Sequence, residues 1–123
     1  MENKRRRVLV VDSSDDVRKM ISETLDDAGY DVVEASNGVD ALTAISGTPA
    51  DMIISDLDIP GLDGLDLIQQ IRSRKENRFV PIIMLTIEDT ENLRIKGRAA
   101  GISGWLVKPF KPENVLSIVR LIS

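Results

Sequence analysis

Four polar residues stand at the ends of four short apolar runs. Asp12 ends Val8-Leu9-Val10-Val11, Asp56 ends Met52-Ile53-Ile54-Ser55, Thr86 ends Ile82-Ile83-Met84-Leu85 and Lys108 ends Trp105-Leu106-Val107. The chain turns at Pro60-Gly61 soon after Asp56, and Pro109 directly follows Lys108. A carboxylate at the carboxyl end of a buried strand lies where open α/β sheets place their ligand crevice. Carboxylate oxygens can attack a phosphoryl group, and they are the donors that hard cations such as Mg²⁺ prefer. An ammonium and a hydroxyl beside them would hold the transferred group, since phosphoryl transfer is mostly positioning and charge neutralisation. Asp56 is the candidate nucleophile. Each residue alone has a plainer role: a strand-end Asp forms turns or caps helices, a lone Lys is usually a solvated charge, and Thr suits a strand. The four make a site only if their strands are parallel neighbours.

Short apolar runs alternating with amphipathic stretches indicate repeated βα units and a parallel sheet. The first strand is Val8–Val11, followed by a helix over Asp15–Asp27 with Val17, Met20, Ile21, Thr24 and Leu25 on one face. Ser14 is its expected N-cap, Asp15 and Asp16 suit its positive end, and Gly29 fits just past its end. Strand two is Asp31–Glu34. Helix two begins after Asn37-Gly38, carries Val39, Leu42 and Ile45 at helical spacing, and stops at Gly47 and Pro49. Strand three is Met52–Ser55, and helix three spans about 65–74 with Leu65, Ile68 and Ile71 inward. Pro81 opens strand four. Helix four covers about 90–100 despite Gly97, which costs roughly 1 kcal/mol relative to Ala inside a helix. Strand five is Trp105–Val107, and Pro112 suits the first turn of a last helix that runs to the end of the sequence.

At 123 residues, with 42% hydrophobic and 29% charged residues, the chain fits one globular domain with a real core. No apolar stretch approaches a membrane span, and the expected location is the cytoplasm. Without Cys there is no disulfide or thiolate site. Without His the chain cannot itself carry phosphohistidine, so any such donor is another molecule. A net charge of −4 does not favour nucleic acid, and the Lys4–Arg7 run reads as a solvated tail.

In order and at family spacing, Val10-Val11-Asp12, Ser55-Asp56-Leu57-Asp58-Ile59-Pro60-Gly61-Leu62-Asp63-Gly64, Met84-Leu85-Thr86 and Val107-Lys108-Pro109-Phe110 resemble the receiver domain of two-component response regulators, of the chemotaxis type. The likeness covers essentially the whole chain. It implies a flavodoxin-like doubly wound (βα)5 fold with five parallel strands in the order 2-1-3-4-5. It implies a single receiver domain over residues 1–123, without an output domain. By resemblance Asp56 takes a phosphoryl group from a histidine kinase or a histidine phosphotransfer protein, and Thr86 and Lys108 stabilise it. Mg²⁺ is held by Asp12, Asp56 and the backbone carbonyl of Asp58. The resemblance further implies a cis Lys108–Pro109 bond, with Phe110 as an apolar anchor.

Several positions depart from the family pattern. Receivers usually carry two consecutive acids after strand one, the second a direct metal ligand. Here the second is Ser13, a doubtful ligand, and the loss of a carboxylate should weaken Mg²⁺ binding. Asp58 or Asp15 would have to compensate. Otherwise the chain is a pseudo-receiver, a phosphorylation-independent interaction module. Ile87, bulkier than usual after the threonine, would narrow access to the phosphoryl group, and Asp58 and Glu88 occupy positions that influence phosphoryl lifetime. Trp105 stands where the family's switch aromatic is more often Tyr or Phe. The indole is larger and cannot accept a hydrogen bond.

The output surface in many relatives is helix four, strand five and helix five. In helix five Val115, Val119 and Ile122 form a core-facing stripe, leaving Leu116, Ile118 and Leu121 pointing elsewhere. With Trp105 they are expected to form a surface for a downstream protein or a second copy of the chain. A flavin-binding enzyme of the same fold would need a glycine-containing phosphate loop after strand one, and the acidic Asp12-Ser13-Ser14-Asp15-Asp16 disfavours one.

Overall fold

The computed structural model describes residues 5–60 and 63–122. Lys4 of the basic run and Gly61 and Leu62 of the turn after Asp56 lie outside them. Among the described residues eleven elements follow in sequence: β1 Arg7–Val11, α1 Asp15–Asp27, β2 Asp31–Ala35, α2 Gly38–Gly47, β3 Met52–Asp56, α3 Gly64–Arg72, a 3-10 turn Lys75–Asn77, β4 Ile82–Thr86, α4 Glu91–Ala100, β5 Gly104–Val107 and α5 Pro112–Ile122. The five strands are parallel and run in the order β2-β1-β3-β4-β5, as the resemblance implied.

Both faces of the sheet are covered, so the central strands are apolar throughout rather than alternating. Val8 and Val10 of β1, Ile54 of β3 and Ile83 and Leu85 of β4 face Ile21 and Leu25 of α1 and Val115 and Val119 of α5. Leu9, Val11, Ile53, Ile82 and Met84 face Ala41 and Ile45 of α2 and Leu67, Ile68 and Ile71 of α3. The cap expected at Ser14 is present, and Asn37 and Thr90 cap α2 and α4. The Ser14 hydroxyl accepts from the Val17 N–H at 3.3 Å, the Asn37 side chain from Asp40 and the Thr90 hydroxyl from Leu93. Gly29 and Gly101 take left-handed conformations just past α1 and α4, with φ of 97° and 89°.

Some expectations need correction. Val39 is 69% exposed. The buried stripe of α2 is Gly38, Ala41 and Ile45, one helical step round from Val39. Helix α3 ends at Arg72, and beside Ile68 and Ile71 its buried stripe holds Leu67 rather than the half-buried Leu65. Leu116 and Ile118 do not stand clear of the core. Both are half-buried against the cluster beneath α5. Gly104 explains this for Ile118: a Cβ there would lie 2.5 Å from Ile122 Cδ1 and 3.1 Å from Ile118 Cδ1, so its absence lets α5 settle onto β5. Of the three, only Leu121 is fully exposed, at 84%. Trp105 packs on the opposite face of the sheet, with the α2–α3 cluster, so it shares no apolar patch with Leu116 and Ile118.

Candidate functional site

Strand order brings the four strand-end residues together. β1 and β3 pair directly, with Val11 beside Ser55, so Asp12 and Asp56 emerge at adjacent carboxyl ends. β4 follows, with Leu85 beside Asp56, and β5 brings Val107 beside Thr86. Asp12 is fully buried, and its oxygens accept from the Ser14 N–H at 2.8 Å and from Lys108 Nζ at 2.9 Å. Asp56 is 7% exposed and accepts from the same ammonium at 3.2 Å and from the Asp58 N–H at 3.3 Å. Lys108 thus bridges both carboxylates. Its own N–H donates to the Thr86 carbonyl at 2.8 Å, and its bond to Pro109 is cis, as expected.

The electrostatics of this trio oppose one another. Burial pushes the Asp56 carboxyl above its usual range, and the charge of Asp12 adds to that. The Asp58 N–H and Lys108 pull it back only in part. For Lys108, burial alone would lower the ammonium, but the hydrogen bond and charge of Asp12, then those of Asp56, leave it raised. A second cation at the cleft would relieve the repulsion that remains between the two acids.

Above them opens a cleft of about 400 Å³, lined by Ser13, Asp56, Leu57, Asp58, Asp63, Thr86, Ile87, Glu88 and Lys108. The Thr86 hydroxyl is buried and accepts from the Glu88 N–H at 3.0 Å. Ile87, 76% exposed, and Glu88 form the rim on the β4 side, with Ser13 and Asp58 on the β1 and β3 side.

A sequence profile described as the response regulator receiver domain matches residues 8–120. The chain belongs to the response regulator receiver family. The receiver is 38% identical over 109 residues to the chemotaxis protein CheY1 of Helicobacter pylori, covering 87% of this chain and 88% of that protein. It is 34% identical over 117 residues to the alkaline phosphatase synthesis transcriptional regulatory protein PhoP of Bacillus subtilis, covering 95% of this chain but only 48% of that regulator. Among solved structures, the chemotaxis response regulator CheY4 of Vibrio cholerae superposes with a TM-score of 0.94 at 39% identity, covering 98% of this chain and 100% of that one. The receiver domain of the sensor histidine kinase PA1611 of Pseudomonas aeruginosa, with a magnesium ion coordinated in its active-site cleft, superposes with a TM-score of 0.87 at 28% identity. It covers 97% of this chain and 98% of that one. This is a flavodoxin-like signalling domain of two-component systems rather than a classical enzyme.

The donors of the receiver's cleft fit a hard divalent cation. The Asp56 carboxylate, the Asp58 carbonyl and the Ser13 hydroxyl line the cleft beside the Lys108 ammonium, with the Asp12 carboxylate buried next to Asp56, and these are oxygen donors of the kind that Mg²⁺ prefers. Asp15 does not join them. Its carboxylate accepts from Arg18 Nη2 at 2.6 Å, and it is not among the residues that line the cleft. Trp105 is outside the cleft. It packs on α4 at Gly97, where an added Cβ would overlap the indole.

Three residues of the receiver's site were not anticipated. Arg18 also donates to the Asp12 carbonyl at 2.7 Å and to Glu34 at 3.1 Å, tying the β1–α1 turn to the end of β2. The Arg18–Asp15 spacing is a readable helical pair, but the other two bonds depend on strand pairing. Asp63 caps α3 by accepting from the Leu65 N–H at 2.8 Å, and an Asp just before an apolar stripe signals such a cap. Gly64 lies so close to the loop after β3 that a Cβ would be 2.5 Å from the Leu57 carbonyl oxygen.

Proposed function

We propose that this receiver is a phosphorylation-activated signalling switch whose acceptor is Asp56. The observation that supports it is the single ammonium of Lys108 between Asp12 and Asp56, in a cleft edged by Thr86. An Asp56 carboxylate oxygen attacks the phosphorus of a phosphohistidine on a histidine kinase or phosphotransfer protein. The O–P bond forms as the P–N bond breaks, and the imidazole leaves. Lys108 and the Thr86 hydroxyl then take the phosphoryl oxygens, since such transfer needs positioning and fixed positive charge more than covalent help. Mg²⁺, held by Asp12, Asp56 and the Asp58 carbonyl, supplies further charge neutralisation when bound.

Ile87, Asp58 and Glu88 at the rim set phosphoryl lifetime by controlling the approach of water and donor. The added charge, about −1.5 to −2 by analogy with phosphorylated hydroxyls, is read out through α4, β5 and α5. Leu121, the exposed apolar residue of α5, contributes there to contact with a downstream protein or a second copy of the chain. The proposed setting is the cytoplasm, with no direct contact to nucleic acid or membrane.

The test is intact-protein mass after incubation with a small-molecule phosphodonor, with and without Mg²⁺, beside Asp56→Asn. A Mg²⁺-dependent phosphoryl adduct absent from Asp56→Asn supports the switch. A second reading rests on Ser13: without the usual carboxylate, the domain serves as a phosphorylation-independent interaction module. A folded wild-type protein that forms no adduct at high Mg²⁺ favours it.

A further inference from the structure

The proposed cation site lacks one carboxylate, because Ser13 is neutral. The two acids beneath it have little to spare. Both oxygens of Asp12 and both of Asp56 already accept hydrogen bonds, and Lys108 takes one from each. Four acids are near enough in sequence or space to make up the charge: Asp15, Asp63, Glu88 and Asp58.

Three of them are poorly placed. Asp15 is nearest along the chain, but it is clasped by an Arg18 whose side chain is only 16% exposed and is itself fixed by the Asp12 carbonyl and Glu34. Swinging Asp15 inward would break a charge-assisted pair and take a carboxylate from the positive end of α1. Asp63 lines the cleft, but its carboxylate caps α3, and giving up such a cap costs about 1 kcal/mol. Glu88 follows β4, and β3 lies between β4 and β1. It is therefore about two strand spacings from Ser13, roughly 10 Å.

Asp58 meets none of these objections. It follows β3, the direct neighbour of β1, and lines the same cleft as Ser13. Its N–H already rests on Asp56, which places its peptide at the nucleophile. Among the described residues its carboxylate has no hydrogen bond, and it is exposed and so free to turn into the cleft.

We infer that the Asp58 carboxylate, not that of Asp15, supplies the third negative charge facing a divalent cation at Asp12 and Asp56, in place of the acid missing at Ser13. This rests on the cation site of the proposed function but not on phosphoryl transfer. The side chain of Asp58 adds charge, whereas any residue at this position supplies the carbonyl. Asp58→Asn therefore removes the proposed contribution and leaves the carbonyl and the shape intact.

The experiment is Mg²⁺ affinity of the whole chain without phosphodonor, read from the Mg²⁺-dependent rise in melting temperature and from competition with Mn²⁺ followed by water-proton relaxation. Expected is a loss of about 10-fold or more in affinity for Asp58→Asn and little change for Asp15→Asn, the scale seen when groups around a metal site are removed. Ser13→Asp in the Asp58→Asn background should restore binding. Wild-type affinity in Asp58→Asn, an equal loss in Asp15→Asn, or no Mg²⁺ binding by the wild type would each overturn the inference. Failure of phosphoryl transfer would appear separately, as a missing mass adduct in a protein that still binds Mg²⁺.

Discussion

The indole of Trp105 occupies the space where a side chain at Gly97 would lie. A Cβ built at Gly97 overlaps the ring and comes within 2.9 Å of Ile102 Cδ1. Gly97 is therefore a hole in α4 that accepts the strand-five aromatic, and its cost in helix propensity has a packing return. Gly97→Ala should gain up to about 1 kcal/mol of helix propensity and lose about 1–3 kcal/mol to overpacking. The expected net result is a lower melting temperature and a red-shifted emission from the single Trp as its ring is pushed outward. Unchanged emission would mean that the ring is not held at Gly97.

Asp56 has a raised carboxyl pKa because it is buried and faces Asp12. A raised folded value means that ionised Asp56 is disfavoured by folding. The folded state is relatively most stable below the ordinary carboxylate pKa of about 3.9 and loses that advantage as pH rises through the raised value. Asp56→Asn should therefore stabilise the fold at neutral pH in Mg²⁺-free buffer, by roughly 3–6 °C for each 1 kcal/mol relieved. The difference from wild type should shrink in acid, measured by thermal melts across pH.

Lys108 is the counter-charge for a fully buried Asp12. Lys108→Met should destabilise the domain by about 3 kcal/mol, the scale for removing one partner of a buried pair. Mg²⁺ should recover part of that loss by supplying charge at the same carboxylates. Urea unfolding with and without the cation checks both.

Gly64 begins α3 against the loop that carries Asp56 to Asp58. A Cβ there would meet Leu57 backbone atoms at 2.5, 2.7 and 2.9 Å, and backbone cannot rotate away as a side chain can. Gly64→Ala should cost about 1–3 kcal/mol, disturb the bond from the Gly64 N–H to the Leu57 carbonyl, and weaken Mg²⁺ binding by shifting Asp58. Stability loss with unchanged Mg²⁺ affinity would separate the loop from the site.

On α5, burial separates residues of similar type. Leu121→Ser should change stability by no more than about 0.5 kcal/mol, being exposed. Ile118→Ala, half-buried over Gly104, should cost about 1–2 kcal/mol, less than a fully buried Ile. Chemical denaturation of the two variants distinguishes a surface residue from a packing one.

The amino-acid sequence by itself determined the alternation of strand and helix, the strand ends that hold Asp12, Asp56, Thr86 and Lys108, and the cap at Ser14. These are local matters: apolar periodicity, turn chemistry and backbone hydrogen bonding act over a few residues. Residue-by-residue register and helix docking were decided only in three dimensions. They set Lys108 between Asp12 and Asp56, turned Arg18 onto the Asp12 carbonyl and Glu34, and left Asp15 paired with Arg18. Val39 and Ile118 show the same limit. Helical spacing says which residues share a face, but which part of that face meets the core depends on how the helix docks. For Val39 that was set by the buried stripe of Gly38, Ala41 and Ile45, and for Ile118 by the missing side chain of Gly104.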